Sequence, residues 1–235
     1  MSLFHFRQFD IDDHGCGMKL CSDSVLLAAW FFPHFREARR VADIGAGSGI
    51  LSLLAACIIP HARITAIEID RKASLACEAN FAASPWADRL ETVNCDFNGF
   101  VAGNPAPFDV VISNPPYFAV GECSADESRA TARHQSSLAY TDILAHSMLS
   151  SDGHLGLVSP ADIEQEIIYN AELNRLKVRR LCRVRTSPSK SPIRLLWDIS
   201  PTDGPLSDTT LSLRDSDGSY SGAYRELVEP FYMKL

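Results

Sequence analysis

Asn114, Pro115, Pro116 and Tyr117 follow directly on the β-branched run "FDVVIS" (108–113). Proline has no N–H to give a ladder and pushes the residue before it toward extended geometry, so the run ends as a strand and the next turn is stiff. The Asn114 side-chain oxygen and the Pro115 carbonyl can each accept one N–H of a planar nitrogen, and the Tyr117 ring can stack on the group that carries it. Such a nitrogen is a poor nucleophile because its lone pair is delocalised. Holding both N–H bonds lets it pyramidalise and aim that pair at an electrophile, a catalysis of positioning and electrostatics that needs no carboxylate base.

A second set of residues closes an earlier strand in "DIGAGSGI" (43–50). Gly45, Gly47 and Gly49 let the backbone turn sharply and approach a ligand, at a helix start where free N–H groups gather. The spacing is G-x-G-x-G, and the fourth place of a dinucleotide fingerprint falls on Ile50, which is not small, so hydride-transfer chemistry is disfavoured. Asp43 before the loop would repel a pyrophosphate but suits an ammonium group. Glu68, ending "RITAIEI" (63–69), is placed for a ribose diol. Asp96 is placed for an adenine amino group, with Phe97 against the ring. S-adenosylmethionine satisfies all of these places. Asp70, two residues past Glu68, reads as a helix cap.

The elements that must position these groups are legible as apolar runs. Strands are expected at 39–45, 63–69, 90–96, 108–114 and 153–159, with helices at 49–58, 71–83 and 138–149 between them. Continuous apolar strands alternating with helices point to a parallel α/β sheet covered on both faces. A helix over 22–32, capped by Ser22 or Asp23, precedes the sheet. Beyond the fifth strand, a helix over 161–173, strands at 177–185 and 193–200, and a short helix over 224–232 are expected. In such sheets ligands sit beyond the carboxyl ends of the strands, which puts Asn114 beside the glycine loop.

Composition sets the outer limits. With 235 residues and 46% hydrophobic content, the chain suits one domain over 1–235: an N-terminal cover (1–38), a core (39–200) whose last two strands are expected to be antiparallel, and a C-terminal extension (201–235). The longest apolar run is too short to span a bilayer and no signal peptide is evident, so a cytoplasmic protein is expected. Seven cysteines stand singly with no CxxC pair, which suggests reduced thiols and no metal site. A formal charge of -7 argues against a generally basic nucleic-acid binder, but the charge is segregated. From Arg175 to Arg194 there are eight Lys or Arg and no acid. Strand alternation predicts Lys177, Arg179, Arg183 and Arg185 on one face, with Val178, Cys182 and Val184 on the other. That face would suit RNA phosphates, or would guard a sheet edge against aggregation.

The glycine loop with its ordered acids resembles the class I, Rossmann-like methyltransferases, a resemblance that implies a mostly parallel seven-stranded sheet with helices on both faces. The wider pattern is similar to the bacterial tRNA1(Val) adenine N6-methyltransferase family over nearly the whole chain: "FHFRQFDI" (4–11), "MKLCSDSVLLAAW" (18–30), "NPPYF" (114–118) and "LSLRDSDGSYSGAYRELVEPFY" (211–232). Cys16 and Cys21 depart from it, standing where other small residues are expected. The resemblance implies methylation of adenine 37 in a valine tRNA, and carries over Lys19, Ser22 and Asp23 as cofactor contacts. It implies tRNA as partner, without a membrane or an obligate protein partner. The "NPPY" tetrad alone leaves adenine N6, guanine N2 and a glutamine amide open as acceptors. Phe118 would join Tyr117 in stacking. The polar stretch 119–137, with Arg129, Arg133 and His134 as phosphate contacts, reads equally as a flap or an inert loop.

Overall fold

The computed structural model describes residues 3–17, 19–116 and 139–233. A short antiparallel hairpin, β1 (Leu3–His5) and β2 (Asp10–Asp12), leads into α1 (Ser22–Phe31). The five apolar runs form β3 (Arg40–Ile44), β4 (Arg63–Glu68), β5 (Leu90–Asn94), β6 (Phe108–Ser113) and β7 (Leu149–Pro160). Between and after them come α2 (Ile50–Ile58), α3 (Arg71–Ala83), α4 (Phe97–Ala102), α5 (Tyr140–Ala145) and α6 (Glu164–Leu173). The chain continues through β8 (Lys177–Arg185), β9 (Arg194–Ser200), β10 (Ser207–Ser212) and α7 (Gly222–Val228).

Among the described residues, eight strands make one sheet in the order β10-β8-β9-β7-β6-β3-β4-β5. β3 to β7 run parallel, β9 is antiparallel to β7 and β8, and β10 is parallel to β8. One face packs on α1, α2 and α7 through Leu27, Phe31, Leu54 and Val228. The other packs on α4, α5 and α6 through Phe97, Ile143 and Ile167 around Trp197. Cover on both faces is what the unbroken apolar strands required. No helix among the described residues is long and apolar enough to cross a membrane.

The structure departs from the sequence expectations in four places. The sheet has an eighth strand, β10, whose six residues bury Leu211 alone, and which pairs parallel to β8. β8 is therefore interior to the sheet, not its edge. The α1 N-cap is Cys21, without a side-chain cap bond, and not Ser22 or Asp23. The predicted helix over 138–149 is only α5, because β7 begins at Leu149. Asp70 does cap α3, accepting from Lys72 N and Ala73 N at 2.8 Å each. The two ends of the chain meet: Phe6 stacks between Phe9 (4.8 Å) and Tyr232 (5.5 Å), and Arg7 Nε donates to the Tyr232 carbonyl.

Candidate active site

Strand order reverses between β3 and β6, since the chain moves outward through β4 and β5 and returns to β6 on the other side of β3. A crevice opens beyond the carboxyl ends of strands at such a point. Ile44 pairs with Ser113 in the ladder, and the Ser113 hydroxyl donates to the Ile44 carbonyl at 2.6 Å. Gly45 and Asn114 thus leave adjacent strands side by side, about one strand spacing (~4.8 Å) apart. Two motifs some seventy residues apart in sequence become one site.

The glycine loop is shaped from below. Gly45 N and Ala46 N donate to the Ile67 carbonyl of β4, and Gly47 N donates to Glu68 Oε2 at 2.7 Å. Glu68 Oε1 accepts from Asp70 N at 2.8 Å, so this nearly buried carboxylate ties the loop to the start of α3. Gly45, Gly47 and Gly49 have φ of 71°, 57° and 88°. A Cβ on Gly47 would meet nothing within 4 Å, whereas one on Gly49 would lie 2.6 Å from the Phe81 ring. Gly49 serves close packing of α2 on α3, and Gly47 borders open space. Asn80 of α3 adds a tie: its Nδ2 donates to the carbonyls of Ser48 and Asp12, and its Oδ1 accepts from Asp12 N.

Asp43 is fully buried at the end of β3, and its Oδ2 accepts from Ser52 N (3.0 Å) and Ser52 Oγ (2.7 Å). Burial pushes its pKa from 3.8 up to about 7, against the Ser52 hydrogen bonds and helped slightly by Glu68. Asp43 Oδ1 has no partner among the described residues. An orphaned buried oxygen beside a glycine loop that opens on free space fits a cationic, nucleoside-bearing cofactor such as S-adenosylmethionine. Both Asp96 oxygens cap α4, accepting from Asn98 N and Gly99 N, and Phe97 is buried against the sheet. Glu68 closes β4, and Asp96 and Phe97 follow β5, with the Glu68 and Asp96 carboxylates engaged in shaping the backbone.

Asn114 is nearly buried, and its Nδ2 donates to Ser24 Oγ at 2.8 Å and to Cys21 Sγ at 3.2 Å. Pro115 is buried beside it. Tyr117, Phe118, Arg129, Arg133 and His134 lie outside the described residues. The segment carrying Lys19, Ser22 and Asp23 does reach the site, but two of those three side chains are engaged elsewhere. Lys19 Nζ donates to the Asp13 carbonyl and carboxylate, Asp23 pairs with Arg194 at 3.0 Å, and Ser22 is exposed. Sequence reasoning missed Cys21, Ser24 and Asn80. Asn80 left a signal, a polar residue on the buried Ala73-Cys77-Phe81 stripe of α3. Ser24 left none, because its partner is 90 residues away.

The expected basic face of β8 does not form. A bulge between Val178 and Arg180 shifts the register, so Val178 packs with Trp197 while Cys182 and Val184 face the α1 side. Arg183 is clamped by Glu164 at 2.7 Å and Asp208 at 3.0 Å, and these hydrogen bonds hold its pKa above the usual arginine value. Arg179 donates to Thr202 and to the Asp203 carbonyl. Arg185 Nε donates to Ser212 Oγ. Lys177 is exposed, but at the end of β8 away from the site, since Val184 at the other end pairs with Arg194 and Arg194 with Pro160.

Residues 16–180 match the model of the methyltransferase small domain family. The chain is 40% identical to the tRNA1(Val) (adenine(37)-N6)-methyltransferase of Shewanella amazonensis, covering 99% of both chains. It is 38% identical to the protein of the same name from Porphyromonas gingivalis, over 98% of this chain and 94% of that one. Among solved structures it resembles a predicted O-methyltransferase from Agrobacterium tumefaciens, with TM-score 0.69 and 21% identity over 88% of this chain and 95% of that one. It also resembles a type I restriction-modification methyltransferase subunit from Streptococcus thermophilus, with TM-score 0.65 and 16% identity over 90% of this chain and 52% of that one. Sequence over the full length and fold together place the chain in the methyltransferase small domain family, among the tRNA1(Val) (adenine(37)-N6)-methyltransferases.

Proposed function

We propose that this chain, acting as one unit over residues 1–235 in the cytoplasm, methylates the N6 amino group of an adenine in tRNA, adenine 37 of tRNA1(Val). The observation that carries this is the ladder pair Ile44–Ser113, which sets the Asn114 turn directly beside the glycine loop. S-adenosylmethionine, when bound, supplies an electrophilic methyl group on a sulfonium centre. The glycine loop, Asp43 and Glu68 hold that donor. Asn114 Oδ1 and the Pro115 carbonyl each accept one adenine N–H, and Tyr117 and Phe118 stack on the base after it is turned out of its stack. With the cofactor bound, the Asn114 turn would hold the nitrogen lone pair toward the donor's methyl group, and the amino proton given up would pass to solvent.

The tRNA phosphates meet the site-side rim rather than the body of β8. Lys190, exposed in the turn between β8 and β9, and Arg185 at the end of β8 stand at the same end of the sheet as Asn114. Arg129 and Arg133 add contacts from the segment after the turn. The test is transfer of labelled methyl from the cofactor to total tRNA from cells lacking this activity, with digestion to nucleosides. Label in N6-methyladenosine of a valine tRNA supports the assignment. Label in N2-methylguanosine, or in protein glutamine alone, overturns it.

A further inference from the structure

An asparagine amide has an oxygen side and a nitrogen side of nearly equal shape, and catalysis at the Asn114 turn needs the oxygen to face the substrate. Reversed, the amide would offer a donor to an amino group that is itself a donor. Something must set the orientation. Two groups from the start of α1 converge on Asn114 Nδ2: Ser24 Oγ at 2.8 Å and Cys21 Sγ at 3.2 Å. A primary amide nitrogen carries two hydrogens, and here it has two acceptors.

The clamp is itself held. Ser24 and Asn114 are each 5% exposed, so water does not compete for these bonds. Leu20 N donates to the buried Asp13 carboxylate, and Asp23 pairs with Arg194 of β9. The chain entering α1 is thereby tied to the segment after β2 at Leu20 and to β9 at Asp23, just ahead of Ser24.

We propose that Ser24, assisted by Cys21, is a positioning residue that locks the Asn114 amide with Oδ1 toward the acceptor nitrogen. This rests on the methyl-transfer function given above and adds a residue that neither the glycine loop nor the strand-tip tetrad contains. It also gives Cys21 a role at the site.

The test compares Ser24→Ala and Ser24→Thr in methyl transfer to tRNA, with KM for tRNA, cofactor affinity and Tm measured alongside. Ser24→Ala is expected to lower kcat roughly tenfold or more, with KM, cofactor affinity and Tm near wild type, and Ser24→Thr, which keeps the hydroxyl, is expected to restore most of kcat. Cys21→Ala is expected to lower kcat only about twofold to threefold, as a weaker acceptor is lost. Full kcat in Ser24→Ala overturns the proposal, as does Ser24→Thr being as impaired as Ser24→Ala. So does a loss that appears as lowered Tm with kcat per folded molecule intact. A wild-type protein that leaves tRNA adenine unmethylated would instead overturn the function, before any variant is read.

Discussion

The turn after β6 and the strand β8 both carry polar side chains, and they use them in opposite ways. At the turn, Asn114 is held through its nitrogen by Ser24 and Cys21, two contacts that fix the plane of its amide. In β8, Arg183 has its guanidinium consumed by Glu164 and Asp208, Arg180 lies over Trp30 and pairs with Asp198, and Arg179 is tied to Thr202 and Asp203. Charge in a sequence is therefore not charge on offer. Neutral amide contacts orient a side chain, whereas paired carboxylates neutralise one.

The largest effect that separates the two regions is expected at Asn114. Asn114→Ala should lower kcat by about a thousandfold, the scale of losing one oriented hydrogen-bond partner of the reacting group. Calorimetric cofactor affinity should stay near wild type, and near-normal turnover would dismantle the contrast.

Beside the turn, Asp43 gives a pH test. Its carboxyl keeps its proton to about pH 7 in the fold, against 3.8 for the free group, so between pH 5 and 7 the native state binds more protons than the unfolded one. That makes this group's contribution to stability fall as pH rises, by about 2 kcal/mol over the window. Urea unfolding without cofactor should show this decline in wild type relative to Asp43→Asn; parallel pH profiles would remove the buried, neutral Asp43 from the account.

In β8 the prediction reverses. Arg183→Met should cost about 1 kcal/mol of stability, because two partly exposed carboxylates lose their partner, and should leave tRNA affinity and its salt dependence unchanged. A shallower salt slope in that variant would return the strand to the RNA interface. Lys190→Glu should do the opposite: unchanged Tm, tRNA affinity weaker by roughly 1 kcal/mol, and a salt slope reduced by about one.

The parts of the molecule that sequence displays are those with local physics. β3 to β7 are apolar runs that had to be covered on both faces, and the glycine loop and Asn114-Pro115-Pro116 are short stretches whose backbone demands can be read in place. β10 escaped because an edge strand that buries only Leu211 has no apolar run to show, and the β1–β2 hairpin because strands of three residues have no period. The bulge at Val178 undid the alternation of β8, since one extra residue turns every side chain before it to the other face. Ser24 was illegible for a different reason: its importance is a contact, and contacts between distant residues exist only in the fold.

The central claim is that the turn beside the glycine loop delivers methyl to one adenine amino group. It is tested most directly with two tRNA1(Val) transcripts, identical except that one carries guanine in place of adenine 37. Labelled methyl should appear as N6-methyladenosine in the first and be absent from the second. Equal labelling of both, or label recovered as N2-methylguanosine, would contradict it.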